Sequence, residues 1–339
     1  MTGGAQLTEM ARPRIEAMAE GLPTARWTLS EGVFWLLPVA CFFLLPDYLV
    51  LGSQILITAL FALSLDLVLG YAGIVSLGHA AFFGLGAYTA GLLARHGWGE
   101  PLSGLVLAAL VAALAGWLTS YLVVRGHDLT RLMVTLGIGL LFFEAANKAA
   151  FVTGGVDGLS GVTMWKLFGV FSFDLGGKTA YAYSLVILFA AFVFARRLVA
   201  SPFGLSLRAV RENASRMPAL GASVRSRLVV AYTIGAALAG IAGALLAQST
   251  QFVGLDSLGF QRSAELVVML VLGGAGRLYG AVIGTALFMI AQDWLSGLNP
   301  VYWQFWIGLL LVVIVLFARG GLLGVADQAR AAWRRKAAP

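Results

Sequence analysis

The chain has 339 residues, of which 60% are hydrophobic and only 12% are charged. With a mean hydropathy of +0.88, this composition excludes a soluble globular domain and predicts an all-α integral membrane protein. The net charge of +7 comes largely from residues at the ends of apolar runs, so membrane topology explains it more simply than nucleic-acid binding does. A single cysteine, Cys41, excludes a disulfide framework and a cysteine metal site, and the three histidines show no metal-ligand spacing.

The chain divides into a polar start, a long apolar middle and a basic end. Residues 1–29 predict a cytoplasmic N-terminal tail, 30–320 a transmembrane domain and 321–339 a basic cytoplasmic C-terminal tail. Apolar runs predict a polytopic bundle of about ten transmembrane helices, with 8–10 as the range. The runs are 30–46, 52–70, 74–94, 103–124, 130–152, 179–199, 227–250, 261–275, 279–296 and 302–319. The stretch 261–296 has a second interpretation, as one re-entrant pair instead of two crossings.

Charge predicts that both termini are cytoplasmic. When the runs are threaded with the N-terminus inside, 18 of the 23 Lys and Arg residues fall in cytoplasmic segments, as expected from the positive-inside rule. Seven of them lie in one segment, from Arg196 to Arg227, between the sixth and seventh runs. The loop at 200–227 is longer than a simple connection and has room for one or two short helices at the membrane surface. We expect a cytoplasmic partner to contact it.

Small residues four positions apart predict close helix packing in the third and seventh runs, for example at Gly86/Ala90 and Gly235/Ala239/Gly243. Two glycine clusters, at 70–73 and 273–276, interrupt apolar runs without a charged loop. Breaks of this kind line the substrate path in some transporters. The alternative is a tight turn at the cytoplasmic face, which the threading favours.

Few ionisable residues fall inside the apolar runs: Asp66, His79, Glu144, Glu265 and Asp293. Such groups are costly in hydrocarbon and usually face the interior of a bundle. Asp66, His79 and Glu144 have two interpretations, as a proton relay or substrate contacts, or as structural groups. In the structural interpretation, Glu144 pairs with Lys148 one helical turn on, and the other two fix helix contacts through hydrogen bonds.

The segment Gly176-Gly177-Lys178-Thr179 resembles the end of a nucleotide-binding loop. The phosphate-cradling motif requires a further glycine where this chain has Ser172. We therefore expect no ATP site and no other cofactor in this chain. Any energy source is then supplied by a partner or by an ion gradient.

Five blocks of sequence together carry a resemblance to a known family. They are GYAGIVSLGHAAFFGLGAYTAGLLA (70–94), VTLGIGLLFFEAANKAAFVTGGVDGLSGV (134–162), SPFGLSLRAVRENASRMPALGASVRSRLVVAYTIGAALAGIAGALLA (201–247), GGAGRLYGAVIGTALF (273–288) and RGGLLG (319–324). In this order, over most of residues 50–325, the chain resembles the M-type permease subunit of the bacterial branched-chain amino-acid ABC transporters. The resemblance implies a multi-pass transport subunit of the bacterial inner membrane, not an enzyme, with ATP bound by partner subunits.

Relatives in this family work in an assembly. The resemblance implies a second related permease, two cytoplasmic ATPases and a periplasmic substrate-binding protein as partners, besides membrane lipid. It also implies a coupling segment whose short helix sits in a cleft of the ATPase. The residues that match this segment are Arg208, Arg211, Glu212, Asn213, Leu220 and Gly221. Closure of the ATPases on ATP then rocks the helix bundle between inward-open and outward-open states.

Pro218 departs from the family pattern, which continues after Asn213 with an acidic, alanine-rich helical turn. Proline disrupts the interior of a helix but fits its first turn. Two alternatives follow: the coupling helix ends near Met217, or a second short helix starts at Pro218.

The resemblance implies branched-chain or related amino acids as substrate, although relatives also carry urea, amides and small aromatic acids. Candidate residues of the translocation pathway are Ser76, Gly78 and His79, together with Asp66 and Glu144. Two other classes stay open. One is a proton-coupled secondary transporter that uses Asp66, His79 and Glu144; the other is an integral-membrane enzyme, for which the loops offer no convincing catalytic cluster.

Overall fold

The structure is a computed structural model that describes residues 29–126, 128–173, 176–300, 302, 304–309, 312 and 321–324. Nearly all of the predicted N-terminal tail, most of the tenth predicted run and most of the C-terminal tail lie outside these residues. Within them the fold is all-α, as predicted. Extended chain pairs there only in two isolated bridges, Leu159 with Val253 and Leu167 with Phe171.

Eleven α-helices follow one another between Leu29 and Leu298, and residues 304–309 and 321–324 are helical as well. They are α1 (Leu29–Leu44), α2 (Leu49–Leu65), α3 (Ala80–Arg95), α4 (Pro101–Val123), α5 (Asp128–Lys148), the single turn α6 (Ala150–Thr153), α7 (Lys178–Ala200), α8 (Pro202–Glu212), α9 (Val224–Thr250), α10 (Phe260–Gly273) and α11 (Leu278–Leu298). A π-helical turn, Asp66–Tyr71, continues α2. Short 3₁₀ turns lie at Pro46–Tyr48, Gly155–Asp157, Met217–Leu220 and Leu255–Leu258.

Six stretches of the described chain are long and apolar enough to cross a membrane. They are Pro46–Tyr71, Pro101–Val123, Leu129–Lys148, Lys178–Ala200, Val224–Thr250 and Leu278–Leu298. A shorter apolar helix covers Glu31–Leu44. The structure therefore confirms a polytopic helical bundle, but it does not confirm a count of about ten spans.

The third predicted run, 74–94, is helical only from Ala80 onward. The preceding residues, 74–79, are non-helical and mostly buried. Side chains of neighbouring helices accept hydrogen bonds from this segment and from the start of α3: Leu77 N donates to Thr135 Oγ1 (3.3 Å) and Ala80 N to Ser263 Oγ (2.9 Å). Irregular backbone at membrane depth is tolerated where protein supplies such partners, because hydrocarbon supplies none.

Helix α9 runs through the whole bundle, and the contacts at its start and finish define the two ends of the bundle. Near its start, the guanidinium of Arg225 lies 5.5 Å from the ring centroid of Tyr121, at the end of α4. Near its finish, Gln248 Nε2 donates to the carbonyl oxygen of Pro101 (2.8 Å), at the start of α4. Helices α4 and α9 are therefore antiparallel. The bundle has an α8 end, where α9 begins, and an opposite end, where α9 finishes at Thr250.

Glycines let α9 approach α3 and α4 closely. A Cβ added at Gly243 would meet the carbonyl oxygen of Phe83 in α3, and one at Gly240 would lie 2.5 Å from the Cβ of Ala112 in α4. Lipid gives helices no hydrophobic reason to associate, so close van der Waals packing at small residues holds them together. The predicted role of Gly243 in close packing is confirmed.

Replacing Gly243 by alanine tests this packing, because the new methyl group has no space. We expect a loss of about 1–3 kcal/mol of stability from overpacking and a lower midpoint of thermal unfolding for the purified chain in detergent. The matched control is Gly137→Ala in the middle of α5, where a Cβ meets nothing within 4 Å. Alanine there gains ~0.5–1 kcal/mol over glycine in a helix interior. Equal midpoints for the two variants would contradict the packing described.

Candidate functional site

Helix α8 forms because the sequence supplies a start signal and an amphipathic pattern. The Ser201 side chain caps the helix by accepting from Gly204 N (3.4 Å), and Pro202 occupies the first turn, where proline is favourable. Leu207 and Val210 are buried, three residues apart on one face. Helix α8 therefore lies with this face against the bundle.

The chain turns directly after α8 ends at Glu212. Asn213 Oδ1 accepts from Ser215 Oγ (2.7 Å) and Arg216 N (3.3 Å), which closes a local turn. A 3₁₀ turn follows at Met217–Leu220 with Pro218 in its first turn. Of the two alternatives for Pro218, the second short helix is present, and the coupling helix itself ends five residues before Met217.

Two arginines of α8 attach this helix to the end of α2. Arg211 Nη1 donates to the carbonyl oxygen of Gly70, in the π-helical turn. The guanidinium of Arg208 lies over the ring of Tyr71, 5.2 Å from its centroid, in a cation–π contact. A π-helical turn leaves carbonyl groups out of the regular α-helical ladder, and such turns are frequent at functional sites. Both arginines thus contact the membrane-spanning part of the chain.

The same turn is joined to the chain between α10 and α11. Asp66 is fully buried, and its Oδ1 accepts from Gly276 N at 2.6 Å. A Cβ at Gly70 would meet both the Asp66 carboxylate and the Gly276 backbone, so only glycine permits this approach. We call the resulting cluster the joint. It consists of Asp66, Gly70, Tyr71, Arg208, Arg211 and Gly276.

The contacts of the joint show where the two glycine clusters lie in the fold. Both 70–73 and 273–276 lie at the α8 end of the bundle, where they pack against each other through Gly70 and Gly276. Gly70 and Tyr71 end the π-helical segment, and the second cluster forms the connection between α10 and α11. The sequence singled out both clusters, but it contained no signal that they pair with each other or that Tyr71 receives Arg208.

The predicted pathway residues of the 74–79 segment are packed inside the chain. Ser76 and His79 are fully buried. His79 Nε2 lies 2.9 Å from Ser64 Oγ, and the imidazole stacks on Phe61 with ring centroids 5.7 Å apart. A Cβ at Gly78 would meet the backbone of α5 at Thr135. His79 and Gly78 thus fix contacts between helices within this chain, whereas Ser76 Oγ is buried without a hydrogen-bond partner among the described residues.

Glu144 is not brought together with Asp66 or His79. It is exposed on α5 near the end opposite α8, whereas Asp66 lies in the joint at the α8 end. The expected ion pair between Glu144 and Lys148 is not formed; the described residues form ion pairs at Arg196–Glu31 (2.9 Å) and Arg262–Asp256 (3.4 Å). The three residues therefore do not assemble a proton relay in the structure.

The remaining coupling residues lie beyond the joint. Glu212 is exposed and Asn213 is partly exposed. Gly221 ends the 3₁₀ turn with φ +74°, a left-handed conformation that favours glycine. The Leu220 side chain lies outside the described residues. Segment 200–227 thus has one face on the bundle and another, including Glu212, open to solvent.

The fold and the joint define a class of protein. Apolar helices span the membrane, and a short amphipathic helix is held by charged and polar contacts to one end of them. This is the architecture of a polytopic membrane protein with a short amphipathic helix held at one end of its bundle.

Comparison with known proteins gives the family. The sequence model described as "Branched-chain amino acid transport system / permease component" matches residues 48–315. The chain belongs to this family, whose members are permease components of ABC transporters and not enzymes. No solved structure gives a significant match to the chain.

Curated relatives agree with the family. The chain is 29% identical over 296 residues to the high-affinity branched-chain amino acid transport system permease protein LivM of Escherichia coli (strain K12), covering 80% of this chain and 69% of that protein. It is 30% identical to LivM of Salmonella typhimurium with the same coverage. LivH of Escherichia coli (strain K12) is 26% identical over 283 residues, covering 78% of this chain and 91% of LivH. These matches give no support to a proton-coupled secondary transporter.

Replacing Arg211 by alanine tests the joint, because it removes the donor to Gly70 and leaves the rest of α8 unchanged. We expect faster deuterium exchange in peptides covering 66–76 and 202–212 of the purified chain. The matched control is Arg216→Ala, an exposed arginine of the same segment. Unchanged exchange in the Arg211 variant, or the same increase in both variants, would show that Arg211 does not hold α8 on the bundle.

Proposed function

We propose that this chain is a membrane-spanning permease subunit of an ABC importer. It translocates branched-chain or related amino acids across the bacterial inner membrane with ATP hydrolysed by partner subunits. The family membership supports the class. The observation that carries the mechanism is the joint, since it connects an external amphipathic helix to two separate parts of the membrane domain.

The α8 end is cytoplasmic in this proposal, and so are both termini. The concentration of Lys and Arg in the segment from Arg196 to Arg227 supports this orientation. Two ATPases contact the solvent-facing side of 200–227 through Glu212, Asn213, Leu220 and Gly221. A second related permease completes the membrane domain, and a periplasmic binding protein delivers substrate at the opposite end. The bundle then has about ten spans, including the predicted run at 302–319.

The joint transmits motion of α8 to the bundle. When the ATPases close, α8 is displaced, and Arg211 carries the displacement to the π-helical turn at the end of α2. The hydrogen bond from Gly276 N to Asp66 carries it onward to the turn between α10 and α11. Because buried polar groups are costly to leave unpaired, the hydrogen bond between Gly276 and the buried Asp66 stays formed while its two segments move together. Movement of one cytoplasmic helix thereby shifts the equilibrium between two conformations of the bundle.

The descriptions of the relatives support a choice of substrate. LivM and LivH are described as parts of high-affinity branched-chain amino acid transport systems. Gly78 and His79 of the 74–79 segment contribute to helix packing, and we assign most of the selectivity to the binding protein. We therefore assign leucine, isoleucine and valine as the first substrates to test.

The energy source is tested with the complete transporter in proteoliposomes, given its ATPases, second permease and binding protein. We expect uptake of labelled leucine, isoleucine or valine that requires ATP on the α8 side and persists with a protonophore. Uptake that survives a hydrolysis-deficient ATPase but stops with the protonophore would overturn the proposal. No uptake with any amino acid in a correctly assembled complex would also overturn it.

The docking surface is tested by reversing the charge of Glu212, which is exposed beyond the joint. We expect Glu212→Arg to lower co-purification of the ATPases at least fivefold while the permease is inserted and folded as before. The matched control is Glu100→Arg, an exposed carboxylate at the opposite end of the bundle. Wild-type ATPase binding by the Glu212 variant would contradict a contact at this residue.

A further inference from the structure

A second polar feature lies at the opposite end of the bundle, away from the joint. There α5, α10 and α11 border a surface cavity of about 550 Å³, within the range of small-molecule sites, ~300–1,000 Å³. Gln261 and Glu265 of α10 and Gln292 of α11 line it. At a rise of about 1.5 Å per residue, Glu265 lies about 8 Å and Gln292 about 9 Å from that end of their helices. The cavity therefore reaches the depth at which hydrocarbon surrounds the bundle.

Its polar groups are arranged in two layers. At the mouth, Arg262 pairs with Asp256 at 3.4 Å, and the two side chains are 46% and 70% exposed. One helical turn farther along α10, Glu265 Oε1 accepts from Gln261 Nε2 at 3.0 Å. Gln292 makes no side-chain hydrogen bond within the described residues. Glu265 and Gln292 thus present an acceptor and an amide group to the cavity.

Contact with lipid is energetically unfavourable for this surface. A carboxylate in hydrocarbon costs about 2.5–3.5 kcal/mol on insertion scales. On another side of α11, a groove of about 510 Å³ is lined mostly by apolar side chains such as Leu37, Ile283 and Ile290, although Asp293 also lines it. The cavity at Glu265 has a larger share of polar side chains along its wall than that groove.

The α5 wall of the cavity is also left uncovered. Leu140 and Phe143 contribute apolar surface beside the polar groups. Only 11% of the apolar window of α5 is buried within this chain, the smallest share among the six candidate spans of the described residues. An uncovered helix next to a polar cavity fits a face that closes against a second permease.

We propose that this cavity is the outer part of the amino-acid passage and a transient substrate site. The inference rests on the proposed function and assigns residues to it. The ammonium group of the substrate pairs with the Glu265 carboxylate, and its carboxylate accepts from the Gln292 amide. Its branched side chain packs against Leu140 and Phe143. Substrate that leaves the binding protein therefore enters between α5, α10 and α11.

Water access is tested by cysteine labelling in a Cys41→Ala background, which contains no other cysteine. A membrane-impermeant methanethiosulfonate reagent is applied to the outer face of spheroplasts that carry the complete transporter. The reagent needs a thiolate, which forms in water and not in lipid. We expect Gln292→Cys to react at least tenfold faster than Ile290→Cys, a nearby α11 position that faces the apolar groove. Equal rates, or no reaction at Gln292→Cys, would overturn the inference.

Substrate contact is tested by uptake of labelled leucine in proteoliposomes with saturating binding protein. We expect Glu265→Gln and Gln292→Leu each to lower the maximal rate at least fivefold, with the ATPases still bound. Glu265→Asp, which keeps the charge, recovers part of the rate, which a purely structural role does not predict. The matched control is Asp47→Asn, an exposed carboxylate at the same end that does not line the cavity.

The two proposals fail in different ways. A wild-type transporter without ATP-dependent uptake refutes the importer function and the cavity assignment with it. A wild-type transporter with normal uptake, combined with wild-type rates for both the Glu265 and Gln292 variants, refutes the cavity assignment alone.

Discussion

Close backbone approach at glycine is the constraint on which this structure depends. Because Gly240 and Gly243 lack a Cβ, α9 lies against α4 and α3 without gaps, and its direction across the membrane is fixed. Helix α9 is preceded by the segment that contains α8 and followed by the chain that leads to α10. The packing of one central helix therefore contributes to the position of both the joint and the cavity at Glu265.

In the joint, a small number of polar contacts connects distant parts of the membrane domain. Asp66 is fully buried, yet it meets a backbone N–H group instead of an oppositely charged side chain. A carboxylate–amide hydrogen bond is short and strong, and it satisfies the exposed backbone of a tight glycine turn at the same time. Arg211 then adds a donor from outside the membrane. One buried group and one surface group together connect three segments that are far apart in sequence.

The sequence predicted the helical bundle, several of its long helices and a short helix in the segment 200–227, because local patterns of apolar and capping residues determine these features. The runs at 179–199 and 227–250 correspond closely to α7 and α9, and Pro218 falls in the first turn of a short helix as one alternative required. Contacts between distant segments were not predictable from one sequence. Asp66 was recognised as unusual, but its partner lies 210 residues away. Glu265 and Gln292 lie on different helices, and only the fold places them around one cavity.

The long sequence separation within the joint has a consequence for biosynthesis. At about 5–20 residues per second, the ribosome reaches Gly276 roughly 10–40 seconds after Asp66. During that interval α2 and α3 have already entered the membrane while the Asp66 carboxylate lacks its native hydrogen-bond donor. Arg211 is synthesised earlier, so its contact with Gly70 is available before the turn between α10 and α11 exists. The last contact of the joint, between Gly276 and Asp66, therefore becomes available only late in synthesis.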